Sequence, residues 1–179
     1  VIRPVDSVSS LEWIKNEITK LSLEIQETIL KDNNFNLLDN FHNYLSVKKL
    51  NDFRVNIITK INNKKKLREH YYNLSKKYLN ALVGNELVMQ SKINLSIQFP
   101  KDNSSLLPLH SDTWSGDSPF ETVVWLPLVN CFKTKSMYIV PPNKMNLINS
   151  LIKKKITTDK LFHRIKKYVT WIKINYGQI

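Results

Sequence analysis

At 179 residues, with 42 % apolar and 10 % aromatic side chains, the chain is long enough for a real core and too apolar for a disordered segment. Its formal charge of +12 favours anionic partners such as nucleic acid, anionic membrane or phosphorylated metabolites, although a composition rich in Lys, Asn and Ile with three glycines also fits an AT-rich genome. No apolar run reaches the roughly eighteen residues of a membrane span, and Val1-Ile2-Arg3-Pro4-Val5 lacks the layout of a signal peptide.

The first half reads as helical. Ser9-Ser10-Leu11-Glu12 has the spacing of a capping box. After it Leu11, Ile14, Ile18, Leu21, Ile25 and Ile29 or Leu30 recur at helical spacing, and Asp32-Asn33-Asn34 reads as a stop. A shorter helix is predicted over Leu37–Leu45, with Leu38, Phe41 and Leu45 as its stripe. A longer helical region covers Val47–Val83, ends at the cap pair Gly84-Asn85, and can break at Asn62-Asn63-Lys64-Lys65-Lys66. Leu67, Tyr71, Leu74, Tyr78 and Leu82 share one face there, a stripe more often core than ligand site.

From Glu86 the period changes. Leu87-Val88-Met89 and Ile93–Phe99 alternate apolar and polar, as half-buried strands do. Pro100–Ser105 is a loop. Further strands are expected at Glu121–Leu128, after the loop Ser115–Pro119, and at Ser136–Val140, closed by Pro141-Pro142. Asn143 to about Lys155 returns to helix, and the basic stretch Lys160–Lys167 adds another. Tyr168–Ile174 is β-branched and aromatic, and Gly177-Gln178-Ile179 looks like the opening of a further strand. Helices followed by strands give an α+β fold, helices packed on one side of a mostly antiparallel sheet. The single cysteine, Cys131, reads as a buried small hydrophobe, and the lack of a disulfide partner points to a reducing cytoplasm.

The segment that carries chemistry is Leu107-Pro108-Leu109-His110-Ser111-Asp112-Thr113-Trp114. On extended backbone, side chains two apart point the same way, so His110 and Asp112 converge. An imidazole and a carboxylate are two of the three ligands of the facial triad of non-haem Fe(II) oxygenases. The plainer reading is a structural His hydrogen-bonded to a nearby carboxylate in a turn.

Ile93–Pro100, then Leu107–Asp112, then Ser118-Pro119-Phe120-Glu121, then Trp125-Leu126-Pro127-Leu128, then Thr134–Tyr138 form an ordered series. The series resembles the 2-oxoglutarate/Fe(II)-dependent oxygenase superfamily, and more narrowly the bacterial branch found with carbohydrate and aminoglycoside biosynthesis clusters, the streptomycin-biosynthesis-like oxygenases. The match covers roughly residues 90–142 and, more loosely, the helical lead-in. It implies a double-stranded β-helix, also called a jelly roll or cupin-like barrel, in one domain over 1–179, with residues 1–84 as helical lead-in and 85–179 as a β-rich core carrying a helical insert near 143–167. It implies His110 and Asp112 as metal ligands and catalytic residues, Fe(II) and 2-oxoglutarate as cofactors, and a small-molecule substrate that is a sugar, a sugar-containing metabolite or an anion. Asn94 and Gln98, on the polar face of the strand before the motif, would bind the cosubstrate, with Ser136 and Tyr138 as weaker candidates. Trp114 would wall the substrate pocket, whereas Trp125 reads as core.

The family completes its triad with a second, distal His on a strand. After Asp112 the only His is His163, in a basic and helical context. The resemblance therefore places the third ligand beyond Ile179. With no initiator Met at its start, the sequence is expected to be an excerpt of a longer reading frame.

Two other classes fit the residues. A basic nucleic-acid-binding module suits the charge, and lysines interleave with aromatics in Lys64–Tyr78 and Lys160–Trp171, but no helix-turn-helix, zinc-finger or RNA-recognition signature appears, so nucleic acid is not the expected partner. A cupin-like sugar-binding protein or isomerase would share the barrel without redox chemistry. No phosphate-binding Gly-rich loop, paired-Cys zinc motif or nucleophile elbow is visible.

Overall fold

A computed structural model describes residues 1–26, 37–103, 106–152 and 156–179. The chain divides into two units, one made of Val1–Ser105, Leu126–Val129 and Tyr176–Ile179, the other of Leu106–Trp125 and Asn130–Asn175.

The first unit is helical because its apolar residues repeat with a helical period. Helix α1 spans Val8–Gln26 and buries Leu11, Ile14, Ile18 and Leu21, the stripe expected of it. Its start lies earlier than the Ser9 box. The Ser7 Oγ accepts from the Ser10 amide at 3.2 Å, and the Ser7 carbonyl takes the first helical bond, from Leu11 at 3.1 Å, so Ser7 is the cap. Ile29, Leu30 and the Asp32-Asn33-Asn34 stop lie outside the described residues. The segment expected as a helix over Leu37–Leu45 contracts to one 3-10 turn, Phe41–Asn43, with no side-chain cap. It still buries Leu37, Phe41 and Leu45.

Helices α2 (Val47–Asn62), α3 (Leu67–Asn73) and α4 (Lys76–Val83) follow, with the expected interruption at Asn63–Lys66. A second interruption at Leu74-Ser75 cuts the tyrosine stripe. Leu67 and Leu74 are buried, but Leu82 is 64 % exposed, because α4 restarts in a new phase. Asp6 anchors that restart, its carboxylate accepting from the Lys77 amide at 2.8 Å and pairing with the Lys77 ammonium at 2.9 Å. Gly84 closes α4 at φ 84° and ψ −169°, a conformation open essentially to glycine alone.

Residues 93–99 run extended across this helical body. Ile93 and Phe99 are buried, Leu95 and Ile97 half-buried, and Asn94, Ser96 and Gln98 exposed. The expected alternation is there, but the partners are helices. The Arg54 guanidinium of α2 donates to the Ile97 carbonyl, through Nε at 2.9 Å and also through Nη2. Asn62, at the end of α2, bonds the Ile93 backbone in both directions. Leu126 and Leu128 pack on the same core. The segment 177–179 pairs with the N-terminus through an antiparallel bridge, Pro4 with Gln178, and reciprocal Arg3–Ile179 amide bonds of 2.9 and 2.8 Å.

The second unit holds helices α5 (Met145–Ile152) and α6 (Thr158–Ile165), which bury Ile148, Leu151, Leu161 and Ile165 against one another. The Thr157 Oγ1 caps α6 by accepting from the Lys160 amide at 3.4 Å. Lys155, the expected end of the first of these helices, lies outside the described residues. Strands β1 (Tyr138–Ile139) and β2 (Thr170–Trp171) pair antiparallel, Tyr138 opposite Trp171. A separate bridge joins Cys131 to Ile174. Cys131 is buried, as its sequence context suggested, and burial pushes its thiol pKa up.

The double-stranded β-helix expected from the family resemblance is not the fold. Among the described residues β1 and β2 are the only strands, two residues each, and helices dominate. A jelly roll needs eight strands bonded into two facing sheets. Among the described residues Leu87–Met89, Ile93–Phe99 and Glu121–Leu128 have no strand beside them, and the inward side chains of 93–99 are taken up by helices. Residues 85–179 are thus not a β-rich core. Among the described residues no helix is long and apolar enough to cross a membrane.

Candidate metal centre

The motif His110-Ser111-Asp112 sits on a surface segment of the second unit, not at a barrel mouth. Pro108 holds the approach away from helix. Ser111 is extended (φ −127°, ψ 138°), and that single residue makes the flanking side chains leave on the same side. Asp112 then opens a 3-10 turn, Asp112–Ser115, which ends on Gly116 in the left-handed region at φ 98°.

The two side chains meet, with Nε2 of His110 3.6 Å from Oδ1 of Asp112. The His110 Nδ1 lies 2.7 Å from the Pro108 carbonyl oxygen. A carbonyl only accepts, so Nδ1 carries the proton. In a neutral imidazole the nitrogen facing Asp112 is then a lone pair. Two acceptors face each other, and the gap between them suits either a second proton, making an imidazolium–carboxylate pair, or a cation. Ligands about 2.1 Å from a shared ion stand about 3.0–3.4 Å apart at octahedral or tetrahedral angles. The observed separation is only slightly longer, within the reach of a small torsional adjustment. The backbone carbonyl behind Nδ1 is the outer contact that metal-bound histidines commonly use to fix ring and tautomer.

The pair is roughly half exposed, at 46 % for the His110 side chain and 51 % for Asp112. Among the described residues no Lys or Arg forms an ion pair with Asp112, and no group of three His, Cys, Asp or Glu gathers around a common point. The residues therefore fit a metal ion as two donors, with water or a bound molecule completing the sphere. Among the described residues no ion pair or metal-type cluster beside them marks where the carboxylates of 2-oxoglutarate would lie, so that cosubstrate rests on the sequence resemblance alone.

The other candidates belong to different elements. Trp114 lies in the same 3-10 turn, 49 % exposed, its amide bonded to the Ser111 carbonyl at 2.9 Å. Asn94 and Gln98 are exposed residues of the first unit. Ser136 buries its hydroxyl with no hydrogen-bond partner among the described residues. Tyr138 stacks on Phe162, ring centroids 5.0 Å apart, and meets Trp171 edge-on at 5.2 Å, and burial pushes its phenol pKa up. His163 is exposed on α6, the helical setting expected of it. The Pro108 carbonyl is a contributor that reading side chains could not find, because it is backbone.

No family profile, no curated protein and no solved structure matches the chain.

Proposed function

We propose that the chain is a divalent-metal protein whose ion is held by Nε2 of His110 and the carboxylate of Asp112, and that the activity served is Fe(II)- and 2-oxoglutarate-dependent oxidation of a sugar or sugar-containing metabolite. One observation supports the metal: Nδ1 of His110 is bonded to a backbone carbonyl, which turns the Nε2 lone pair toward an acidic oxygen 3.6 Å away. The support for oxygenase chemistry is the ordered series in residues 93–138; the fold adds none. Bound Fe(II) would supply the redox chemistry. The chain's own residues would bind and orient it: the Pro108 carbonyl keeps His110 in the ligating tautomer, Asp112 supplies charge, and Trp114 exposes an apolar ring from the same 3-10 turn.

Anaerobic titration with Fe(II) or Co(II) is the test. One ion per chain, with Co(II) absorption bands of a nitrogen–oxygen site, is expected for the wild type, and loss of binding for His110→Ala and Asp112→Ala. Equal binding by wild type and both variants, or none by any, defeats the metal assignment. Succinate release from 2-oxoglutarate by the Fe(II)-loaded protein then tests the oxygenase step, and metal binding without succinate would leave a metal protein of another kind.

A further inference from the structure

The net charge is unevenly distributed. Residues 130–179 hold eleven Lys and Arg against one acid, Asp159, whereas residues 1–129 hold sixteen against fourteen. A lysine-rich genome would spread lysines along the chain; it would not empty one region of carboxylates. Almost all of the +12 charge thus resides in this stretch.

The same stretch contains a cleft of about 530 Å³ lined by Phe132, Lys133, Thr134, Trp171, Ile172 and Lys173. Its origin is topological. Between the Cys131–Ile174 bridge and the Tyr138–Trp171 pair, residues 132–137 on one side face only 172–173 on the other. The surplus folds outward into the 3-10 turn Lys133–Lys135, with Lys133 in the left-handed region at φ 52°. Phe132 and Trp171 are left 46 % and 48 % exposed. Trp171 also meets Tyr138 in an edge-type contact, ring centroids 5.2 Å apart.

Aromatic surface flanked by two cations, in a unit that holds eleven Lys and Arg against four acids, is the combination that receives single-stranded nucleic acid: a base stacks and its flanking phosphates meet ammonium groups. We infer that the Phe132–Trp171 cleft, with Lys133 and Lys173 at its sides, binds single-stranded nucleic acid. The site is separate from His110 and Asp112 and independent of the metal proposal. A duplex buries its base faces in its own stack and has little to offer such a cleft.

The test is fluorescence anisotropy of a labelled oligodeoxythymidylate with the full chain at low salt, with tryptophan quenching in parallel. Binding that falls steeply as salt rises is expected, weaker for a duplex of equal length and for heparin. Trp171→Ala should weaken it about ten-fold, and Trp171→Phe should restore most of it. Lys133→Gln with Lys173→Gln should flatten the log–log salt dependence by about 1.4, two phosphate contacts at about 0.7 each. Both lysines are exposed, so this variant should fold even if Trp171→Ala does not, and Phe132→Ala gives a second reading of the stacking. Absence of binding, a preference for duplex or heparin, or affinity indifferent to the lysine pair and to Phe132→Ala would overturn the inference.

Discussion

Asn62 bonds the backbone of Ile93 on both sides: its amide donates to the Ile93 carbonyl at 3.0 Å, and its carbonyl accepts from the Ile93 amide at 2.8 Å. A side-chain amide at the end of α2 thus does for one residue what a neighbouring strand would do. Asn62→Ala leaves both backbone groups without this partner in a part-buried place. It should cost about 2–3 kcal/mol, read from urea unfolding, with faster hydrogen exchange at the Ile93 amide. An unchanged midpoint would mean that water replaces Asn62 freely.

Tyr71 gives the first unit a dependence on alkaline pH. Burial pushes its phenol up to about 12 from an ordinary value of 10.0. The folded state holds the neutral form longer than the unfolded one does, so the contribution is fully present below pH 10 and is lost as pH rises from 10 toward 12. The difference corresponds to at most about 3 kcal/mol. The urea midpoint of the wild type should fall across that window, and Tyr71→Phe should fall less. Equal slopes would remove Tyr71 as the cause.

Gly84→Ala isolates conformational strain from packing. A methyl group placed there meets nothing within 4 Å, yet the backbone stands at φ 84° and ψ −169°. A loss of about 1–3 kcal/mol is expected although nothing clashes. The same stability in both proteins would mean that the link after α4 relaxes to another conformation without cost.

The tautomer of His110 can be observed directly. Nitrogen-15 correlation spectra of the metal-free protein at mildly alkaline pH should show Nδ1 protonated, and addition of Zn(II) should shift Nε2 while Nδ1 keeps its proton. A predominant Nε2–H form would contradict the bond to Pro108.

Helical order was readable because burial on a helix follows a 3.6-residue period that residues such as Leu11, Ile14, Ile18 and Leu21 declare. The choice of cap was not readable. Ser7, Ser9 and Ser10 all stand within four residues, and only the backbone path decides which hydroxyl faces the free amides. The period of two in 93–99 told correctly which side chains turn inward, but alternation says nothing about what they meet. A jelly roll and a helix surface ask for the same pattern, and here Asn62 and Arg54 supply the helix.

The convergence of His110 and Asp112 was legible in their spacing. One extended residue between His110 and Asp112 brings them together whether or not a sheet continues beyond it. Asn94 and Gln98 were chosen by position in the family order, an argument that depended on the barrel. The cleft at Phe132 and Trp171 was concealed for a different reason: its walls come from two segments nearly forty residues apart, joined only by strand register.

Cys131 has a practical consequence. It is the only sulfhydryl of the chain, 7 % exposed, and its raised pKa further lowers the thiolate fraction. Maleimide dyes and spin labels should therefore react slowly with the native protein, so a cysteine introduced at fully exposed Val88 would carry a single probe at a known place without prior removal of the natural one.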